Sequence, residues 1–263
     1  MEQTKENKMG VMPVNKLLVT MSLPIVISML IQAMYNLVDS VFVAQINPDA
    51  LTAVGMAFPM QSLMIAFQTG LGVGMNALVS RYLGQKKPYE AGLAATHALI
   101  LTALNYVVFL IVGLTAIPAF FSIQTHSEII AGYGVEYLSI VCCGSLGLFF
   151  QIYGERILQA TGKTLLSMVS QILGAVINIV LDPVFIFVFG WGIKGAAWAT
   201  VIGQVVSGVL VIVYFWKFRN MYLTGAMLKP KMPYLKAIIS LGLASCINQI
   251  AMAIVQIVLN NIL

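Results

Sequence analysis

Long apolar stretches alternate with short polar gaps along the chain, from Leu17 to Leu263. Each stretch is rich in Leu, Ile, Val, Ala, Met and Phe, and is long enough to cross a bilayer as a helix, which needs about 20 mostly apolar residues. Barrel strands would be about ten residues long with alternating polarity, which is not the pattern here. The pattern predicts seven membrane-spanning helices, at residues 17–45, 52–80, 92–121, 133–158, 164–190, 195–216 and 234–263.

Composition agrees with a polytopic membrane protein. Hydrophobic residues make up 60% of the chain and charged residues 9%, whereas a soluble domain carries about 25% charged residues. A soluble all-α protein with a large core would not explain seven long uncharged runs. The predicted fold class is therefore all-α, a polytopic membrane helical bundle. The first 15 residues are polar, which predicts a tail rather than a cleaved signal peptide.

Basic residues fall almost entirely in alternate gaps between the predicted spans. Thirteen of the 14 Lys and Arg residues lie in the N-terminal tail and in the second, fourth and sixth gaps, and the remaining gaps hold only Lys194. Because Lys and Arg mark the cytoplasmic side of membrane proteins, we expect a cytoplasmic N-terminus and a cytoplasmic loop at 217–236. The formal charge of +5 then reflects topology and contact with the lipid bilayer, and no nucleic acid is expected as a partner.

The seventh predicted span resembles the first. Residues 22–24 (SLP) correspond to 240–242 (SLG), and residues 33–34 (AM) to 251–252, at the same offset of 218 residues. A six-helix unit duplicated in the same orientation would explain the match. We therefore expect a truncated or partial sequence that holds one six-helix lobe and the first helix of a second.

The predicted organisation has four parts. They are a cytoplasmic tail at 1–16, an N-terminal six-helix transmembrane lobe at 17–218, a cytoplasmic inter-lobe loop at 219–233 and the first helix of an incomplete second lobe at 234–263. Because the other helices of the second lobe are absent from the chain, the seventh span is expected to have no proper packing partner.

Two aspartates lie inside predicted spans, where ionisable groups are energetically expensive and mark functional sites. Asp39 lies toward the outer end of the first span, and Asp182 toward the outer end of the fifth. Positions three and four apart share a helix face, so other polar residues align with them. The three polar faces are Gln32, Tyr35 or Asn36, and Asp39 in the first span, Gln171, Asn178 and Asp182 in the fifth, and Thr200, Gln204 and Ser207 in the sixth.

Together at similar depth, these faces would form a polar cavity that carries carboxylates. Carboxylate, amide and hydroxyl oxygens suit Na⁺, and two buried acids also suit a shared proton. The alternative for each aspartate is a helix cap or a backbone contact, and Asp182-Pro183 could mark a kink. Glu155 precedes Arg156 at the cytoplasmic end of the fourth span, which favours an interfacial ion pair over a ligand contact.

The first predicted span contains a proline, and the second contains three closely spaced glycines. Pro24 removes a helix hydrogen bond and is expected to bend or hinge the first span. Gly70, Gly72 and Gly74 match a nucleotide-binding motif only loosely, and inside a membrane helix they indicate close packing or bending. His97, near the cytoplasmic end of the third span, is expected to be packed or solvated rather than to relay protons.

Four segments resemble the N-terminal lobe of the MATE (multidrug and toxic compound extrusion) family of cation-coupled exporters. They are SLPIVISMLIQAMYNLVDSVFVA in the first span, SRYLGQKK after the second, LQATGKTLLSMVSQILGAVINIVLDP through the fifth and IKGAAWATVIGQ in the sixth. The resemblance covers the chain in order. It implies a twelve-helix exporter of two six-helix lobes with a central cavity.

The resemblance also implies roles for individual residues. It implies a cation or proton site at Asp39, Asn178, Asp182 and Thr200, and no other metal. It implies a substrate cavity at Gln32, Tyr35, Gln171 and Gln204, with Glu155 near a cavity position where an amide is expected. Pro24 matches the bending point of the first helix.

The favoured function is a secondary antiporter of the plasma membrane, in which H⁺ or Na⁺ enters while amphiphilic, cationic compounds leave. A lipid-linked oligosaccharide flippase of the same superfold is the alternative. Flippases of that kind usually carry more basic residues in the cavity, whereas the basic residues here lie in the gaps. A membrane enzyme is disfavoured, because the chain has no HExxH motif, no DDxxD motif and no membrane Ser–His pair.

The expected partners are the lipid bilayer, small cationic amphiphiles and a second six-helix lobe. No cofactor is expected apart from H⁺ or Na⁺ as the coupling ion. Residues 1–263 alone are not expected to support efflux.

Overall fold

The computed structural model describes residues 12–217 and 229–262, and the side chains of residues 12–214 and 229–255. Over these residues the regular structure is helical, without a strand. The helices are α1 (Val14–Ala44), α2 (Pro48–Gly84), α3 (Pro88–Thr115), α4 (Ile117–Gln124), α5 (Glu128–Gly144), α6 (Leu146–Ala160), α7 (Thr164–Pro183), α8 (Ile193–Lys217) and α9 (Met232–Ile262).

The prediction of membrane-spanning helices is confirmed, and their number in the described part of the chain, six or seven, agrees with the seven predicted. Within the described ranges, six helices are long and apolar enough to cross a bilayer, and α5 and α6 together make a seventh candidate. This pair is bent by 47°. The bend lies at Ser145, whose hydroxyl donates to the Cys142 carbonyl at 2.7 Å, a local side-chain contact of the kind that perturbs helices. The all-α membrane fold class is therefore correct.

Two further predicted spans are interrupted, besides the fourth, at 133–158, which contains the bend at Ser145. The third, at 92–121, contains a break between α3 and α4 at Ala116. The fifth, at 164–190, ends as a π-helical turn at Val184–Val188 directly after Pro183. A proline lacks the N–H that continues an α-helical ladder, and a π-helical turn is a common adjustment near functional sites. The Asp182-Pro183 step thus marks the end of regular α-helix without removing Asp182 from the bundle.

The predicted domain boundaries fall partly outside the described residues. The tail at 1–16 is described only from residue 12, and the lobe–loop junction at residues 218 and 219 lies outside the described ranges. The four-part division stays a prediction.

The seventh helix has a close packing partner, so the expectation that it lacks one is wrong. Helix α9 lies against α2, where a Cβ on Gly74 would collide with the Ile238 carbonyl and a Cβ on Gly242 with the Gly70 carbonyl. Small residues let membrane helices approach backbone to backbone. Gly70 and Gly74, expected to mean close packing, therefore provide the surface on which α9 docks, whereas Gly72 packs against the Arg156 side chain of α6.

A buried histidine fixes the start of α9 to α3. His97 is fully buried, its Nδ1 lies 2.7 Å from the Leu93 carbonyl oxygen, and its Nε2 accepts the Lys231 backbone N–H at 2.7 Å. Its ring also stacks on Tyr234 at a centroid distance of 5.2 Å, and the Tyr234 hydroxyl donates to Glu90. His97 is therefore a packed, structural residue, as the sequence analysis expected.

Candidate functional site

The carboxyl groups of Asp39 and Asp182 meet inside the bundle. Asp39 on α1 is 8% exposed and Asp182 on α7 is 0% exposed. Their side chains are within hydrogen-bonding reach of each other. Since an ionised carboxylate only accepts hydrogen bonds, a direct bond between the two requires a proton on one of them. The pair is thus suited to hold a proton or, when both groups are ionised, a cation.

Asn178 and Thr200 lie beside the carboxyl pair. The Asn178 side-chain nitrogen lies 3.4 Å from Asp182 Oδ1 and 3.3 Å from Thr200 Oγ1. The Thr200 hydroxyl also contacts the Tyr35 hydroxyl of α1. Side chains of α1, α7 and α8 are therefore joined in one polar cluster.

Two glycines bring α7 and α8 close enough for this cluster to form. A Cβ on Gly203 would lie 2.7 Å from the Gly174 carbonyl oxygen, and a Cβ on Gly174 would lie 2.9 Å from the Gly203 carbonyl oxygen. Neither distance leaves room for a larger residue. Gly174 lies one turn before Asn178, and Gly203 lies three residues after Thr200, so the backbone contact sets the distance between the two polar side chains.

A small polar cavity of about 50 Å³ opens beside the cluster. That volume is enough for several water molecules. Its wall contains Gln32 and Tyr35 of α1, Leu148 and Gln151 of α6, Gln171, Gly174, Ala175 and Asn178 of α7, and Thr200, Gly203 and Gln204 of α8. The four glutamine and tyrosine positions expected in a cavity are thus brought together here, with Asn178 and Thr200 between the cavity and the two aspartates.

Several buried oxygens of this region have no hydrogen-bond partner among the described residues. They are Asp39 Oδ1, Asn178 Oδ1, Asp182 Oδ2 and Gln204 Oε1. A buried polar atom without a partner costs about 1–3 kcal/mol, so native proteins rarely leave one unmatched without a functional reason. All four are acceptors, which is the chemistry that a proton donor or a small hard cation requires.

Glu155 contacts the cavity wall rather than a basic side chain. It is 6% exposed, and its two oxygens accept hydrogen bonds from Gln151 Nε2 at 3.0 Å and from Gln171 Nε2 at 3.2 Å. Arg156 does not come within 4.0 Å of it, and its guanidinium donates to Gln159 at 3.0 Å. The expected interfacial Glu155–Arg156 pair is therefore wrong, because neighbouring residues on a helix point in different directions.

Pro24 lies inside the unbroken helix α1 and is buried. The Ser28 hydroxyl donates to the Pro24 carbonyl at 2.9 Å. At about 1.5 Å per residue, Pro24 is about 22 Å along the helix from Asp39. A hinge there would let the segment that carries Asp39 move relative to the first turns of α1, and the hinge stays a prediction.

Three polar residues of the site were missed in the sequence. Tyr137 of α5 is buried. It lies near enough to Asp39 to interact with its charge, and its side chain contacts Gln61 of α2. Gln151 was also missed, although its spacing of four from Glu155 is a signal that could have found it. Conversely, Ser207 donates to the Ser170 carbonyl at 2.9 Å, so this hydroxyl ties α8 to α7 outside the cavity wall.

A family model described as MatE matches residues 24–184, which is more than half of the chain. Among curated proteins, the chain is 25% identical over 249 residues to the multidrug export protein MepA of Staphylococcus haemolyticus (strain JCSC1435), covering 93% of this chain and 55% of MepA. It is 29% identical over 209 residues to an FAD transporter of Shewanella oneidensis, covering 76% of this chain and 46% of that protein. The chain spans about half the length of these relatives.

Solved structures agree over nearly the whole chain. A MATE protein in complex with MaL6 has a TM-score of 0.93 at 32% identity, covering 98% of this chain and 58% of that one. A MOP superfamily transporter from Pyrococcus furiosus, described as having a binding pocket of reverse polarity that suggests a different function, has a TM-score of 0.90 at 32% identity, covering 99% and 58%. The chain therefore belongs to the MatE family, whose members are multi-pass membrane transporters and not enzymes.

Proposed function

We propose that this chain is the N-terminal lobe of a secondary antiporter that exports amphiphilic, cationic compounds in exchange for H⁺ or Na⁺. The observation that carries the proposal is the buried Asp39–Asp182 pair next to a polar cavity. The two carboxyl groups and the Thr200 hydroxyl supply oxygens for a proton or a Na⁺ ion, and the Asn178 amide nitrogen holds Asp182 and Thr200 together beside them. The resemblance of the chain to the multidrug export protein MepA supports a multidrug role.

Coupling follows from the position of the two carboxyl groups on different helices. When a proton or Na⁺ binds between Asp39 of α1 and Asp182 of α7, the repulsion between the two charges is removed and α1 is held against α7. When the ion leaves, the two ionised groups repel each other. An ion that binds one arrangement of α1 more tightly than the other shifts the equilibrium between them. Tyr35 is on the same helix and lines the cavity, so this movement changes the substrate site.

The charge around the cavity favours cationic substrates. No Lys or Arg is among the residues that line the described cavity, whereas Glu155 lies directly behind Gln151 and Gln171. An anionic substrate such as FAD, or the pyrophosphate of a lipid-linked oligosaccharide, would need positive charge there. Gln32 is exposed at the rim, so a cationic head group can enter while the apolar remainder of the substrate lies beyond Gln32.

The proposal includes the placement of the chain in the plasma membrane. The N-terminus and the region around residues 217–236 are cytoplasmic, because they contain most of the basic residues. A second six-helix lobe, of which α9 is the first helix, completes the transporter. This assignment accords with the share of about 58% of the matched MATE chain that the present chain covers, and residues 1–263 alone are not expected to export.

Proteoliposomes test the function. The complete product of the reading frame that contains this chain is reconstituted, and movement of ethidium is followed under an imposed pH gradient or an imposed Na⁺ gradient. The proposal expects counter-transport under one of the two gradients, abolished by an ionophore that dissipates it. Ethidium that stays in place under both gradients, with a protein that elutes as a folded species, would contradict the proposal.

A further inference from the structure

Glu155 fixes the orientation of two amides of the cavity wall. Its Oε1 accepts from Gln151 Nε2 and its Oε2 from Gln171 Nε2. An ionised carboxylate has no proton to donate, so both glutamines must turn their NH₂ groups toward it. Their carbonyl oxygens are then directed away from Glu155. Since both residues line the cavity, these oxygens are available to a ligand as acceptors.

Asn178 is oriented in the same way, with its nitrogen on protein acceptors. Asn178 uses its nitrogen for Asp182 and Thr200, and its Oδ1 is buried without a partner, as is Gln204 Oε1. Asn178 is only 2% exposed and lines the cavity. Three amide nitrogens, those of Gln151, Gln171 and Asn178, are thus occupied by protein acceptors, and no hydrogen bond among the described residues uses the oxygens of these three amides.

We propose that Glu155 is a positioning residue that makes the cavity a set of hydrogen-bond acceptors, so that it selects cations with several N–H donors. Guanidinium, amidinium and primary ammonium groups satisfy such a cavity, whereas a quaternary ammonium or phosphonium has charge but no donor. An unmatched buried acceptor costs free energy, so the cavity discriminates between cations of equal charge. This inference names the substrate class of the proposed transporter and rests on the proposed function.

Glu155→Gln tests whether the Glu155 carboxylate orients the two amides. In Glu155→Gln, the new side chain accepts through its oxygen and donates through its nitrogen. One of the two neighbouring glutamines must then turn its carbonyl toward residue 155 and its NH₂ toward the cavity. The substitution preserves size and exchanges one acceptor of the cavity for a donor. In Glu155→Asp the charge is kept, but the shorter side chain cannot reach both amides.

Two phenyl cations of similar size serve as probes: benzamidinium, which carries N–H donors, and phenyltrimethylammonium, which has none. Their binding to the complete product of the reading frame that contains this chain, reconstituted in lipid nanodiscs, is measured by calorimetry, and the ratio of the two dissociation constants is compared among variants. The wild-type chain is expected to prefer benzamidinium. Loss of about one hydrogen bond should reduce that preference roughly five- to tenfold in Glu155→Gln. A similar reduction in Glu155→Asp separates positioning from charge.

A second pair of variants keeps the test decisive if Glu155→Gln fails to fold. Gln151→Met removes one oriented amide from the wall and should also reduce the preference. Gln159→Met is the matched control, because Gln159 lies on the same helix and contacts Arg156 rather than Glu155. It should leave the ratio unchanged.

The outcomes separate this inference from the proposed function. If Glu155→Gln and Gln151→Met weaken both probes equally, the ratio is unchanged and the positioning role is overturned, while a cation site remains. If wild-type protein binds neither probe, the proposed cationic substrate class fails, and the inference fails with it. If the wild-type protein prefers phenyltrimethylammonium, the inference that the cavity presents hydrogen-bond acceptors is wrong, while the proposed cationic substrate class stands.

Discussion

The Asn178 side-chain nitrogen lies 3.3 Å from the Thr200 hydroxyl oxygen, and this contact joins α7 to α8 directly beside the carboxyl pair. The same nitrogen lies 3.4 Å from Asp182 Oδ1, so one amide holds both a carboxylate and a hydroxyl. Its own oxygen is left buried without a described partner. The amide thereby connects the proposed ion site with the proposed substrate cavity.

Thr200→Val should weaken binding of the coupling ion without unfolding the lobe. Valine has nearly the same shape, but it removes the hydroxyl that contacts Asn178 and Tyr35. Loss of one hydrogen bond costs about 1 kcal/mol, which corresponds to an affinity several-fold lower. The half-saturating ion concentration for transport of ethidium in proteoliposomes measures this.

Thr115→Val is the control for that experiment. Thr115 is exposed, and its hydroxyl donates only to the Ile111 carbonyl in the same helix. The half-saturating concentration should be unchanged in this variant. An equal shift in the two variants would mean that the Thr200 hydroxyl has no special role.

Gly74→Ala should destabilise the docking of α9. A Cβ at this position would collide with the Ile238 carbonyl, and forcing an extra methyl into a close contact costs about 1–3 kcal/mol. The midpoint of thermal unfolding in detergent should fall by several degrees. Gly55→Ala in the same helix is the control, because nothing lies within 4 Å of a Cβ there. An unchanged midpoint in Gly74→Ala would contradict backbone contact between α2 and α9.

A thiol introduced at Lys229 should be reached by an impermeant reagent only from the cytoplasmic side. Lys229 is exposed and belongs to the region with the largest cluster of basic residues, which the positive-inside rule assigns to the cytoplasm. The labelling uses a background in which Cys142, Cys143 and Cys246 are replaced. Labelling from outside intact cells would reverse the topology proposed here.

The helix faces could be predicted because they depend on local periodicity. Gln32, Tyr35 and Asp39 were placed on one face of the first span, and Tyr35 and Asp39 do turn inward with Gln32 at the cavity rim. The 3.6-residue repeat fixes which side chains share a face, and the low charge of the spans fixes the membrane class. The same periodicity aligned Gln171 with Asn178 and Gln204 with Thr200, which line the cavity, but it did not identify Gln151.

The contacts between helices could not be predicted from periodicity. Glu155 was expected to pair with Arg156, its neighbour in sequence, whereas its partners include Gln171 on another helix. Similarly, α9 was expected to lack a partner because the repeat was counted in sequence, whereas Gly70 and Gly74 on α2 create a surface for it. Two helices approach closely only where both of their surfaces have small residues. A single sequence does not show which of these surfaces pack together.

Neutralising either Asp39 or Asp182 should reduce antiport more than neutralising Glu155 does. Asp182→Asn should reduce antiport nearly as much as Asp39→Asn, because the two groups hold one proton or ion between them. Glu155→Gln should reduce transport less, since Glu155 lies behind the cavity wall and contacts neither aspartate. Initial rates of ethidium efflux at matched expression rank the three variants. Equal losses in all three would place Glu155 in the coupling site as well.

Asp39→Asn tests whether the Asp39–Asp182 pair couples ion entry to export. Asparagine keeps the size and the hydrogen bonds of the side chain but cannot take up a proton or supply a negative charge. The measurement is ethidium efflux from cells that lack other pumps and express the complete reading frame, with Asp49→Asn, an exposed aspartate at the start of α2, as the control. Efflux is expected to be abolished or strongly reduced in Asp39→Asn and unchanged in Asp49→Asn. Wild-type efflux from Asp39→Asn at equal expression would contradict coupling through this pair.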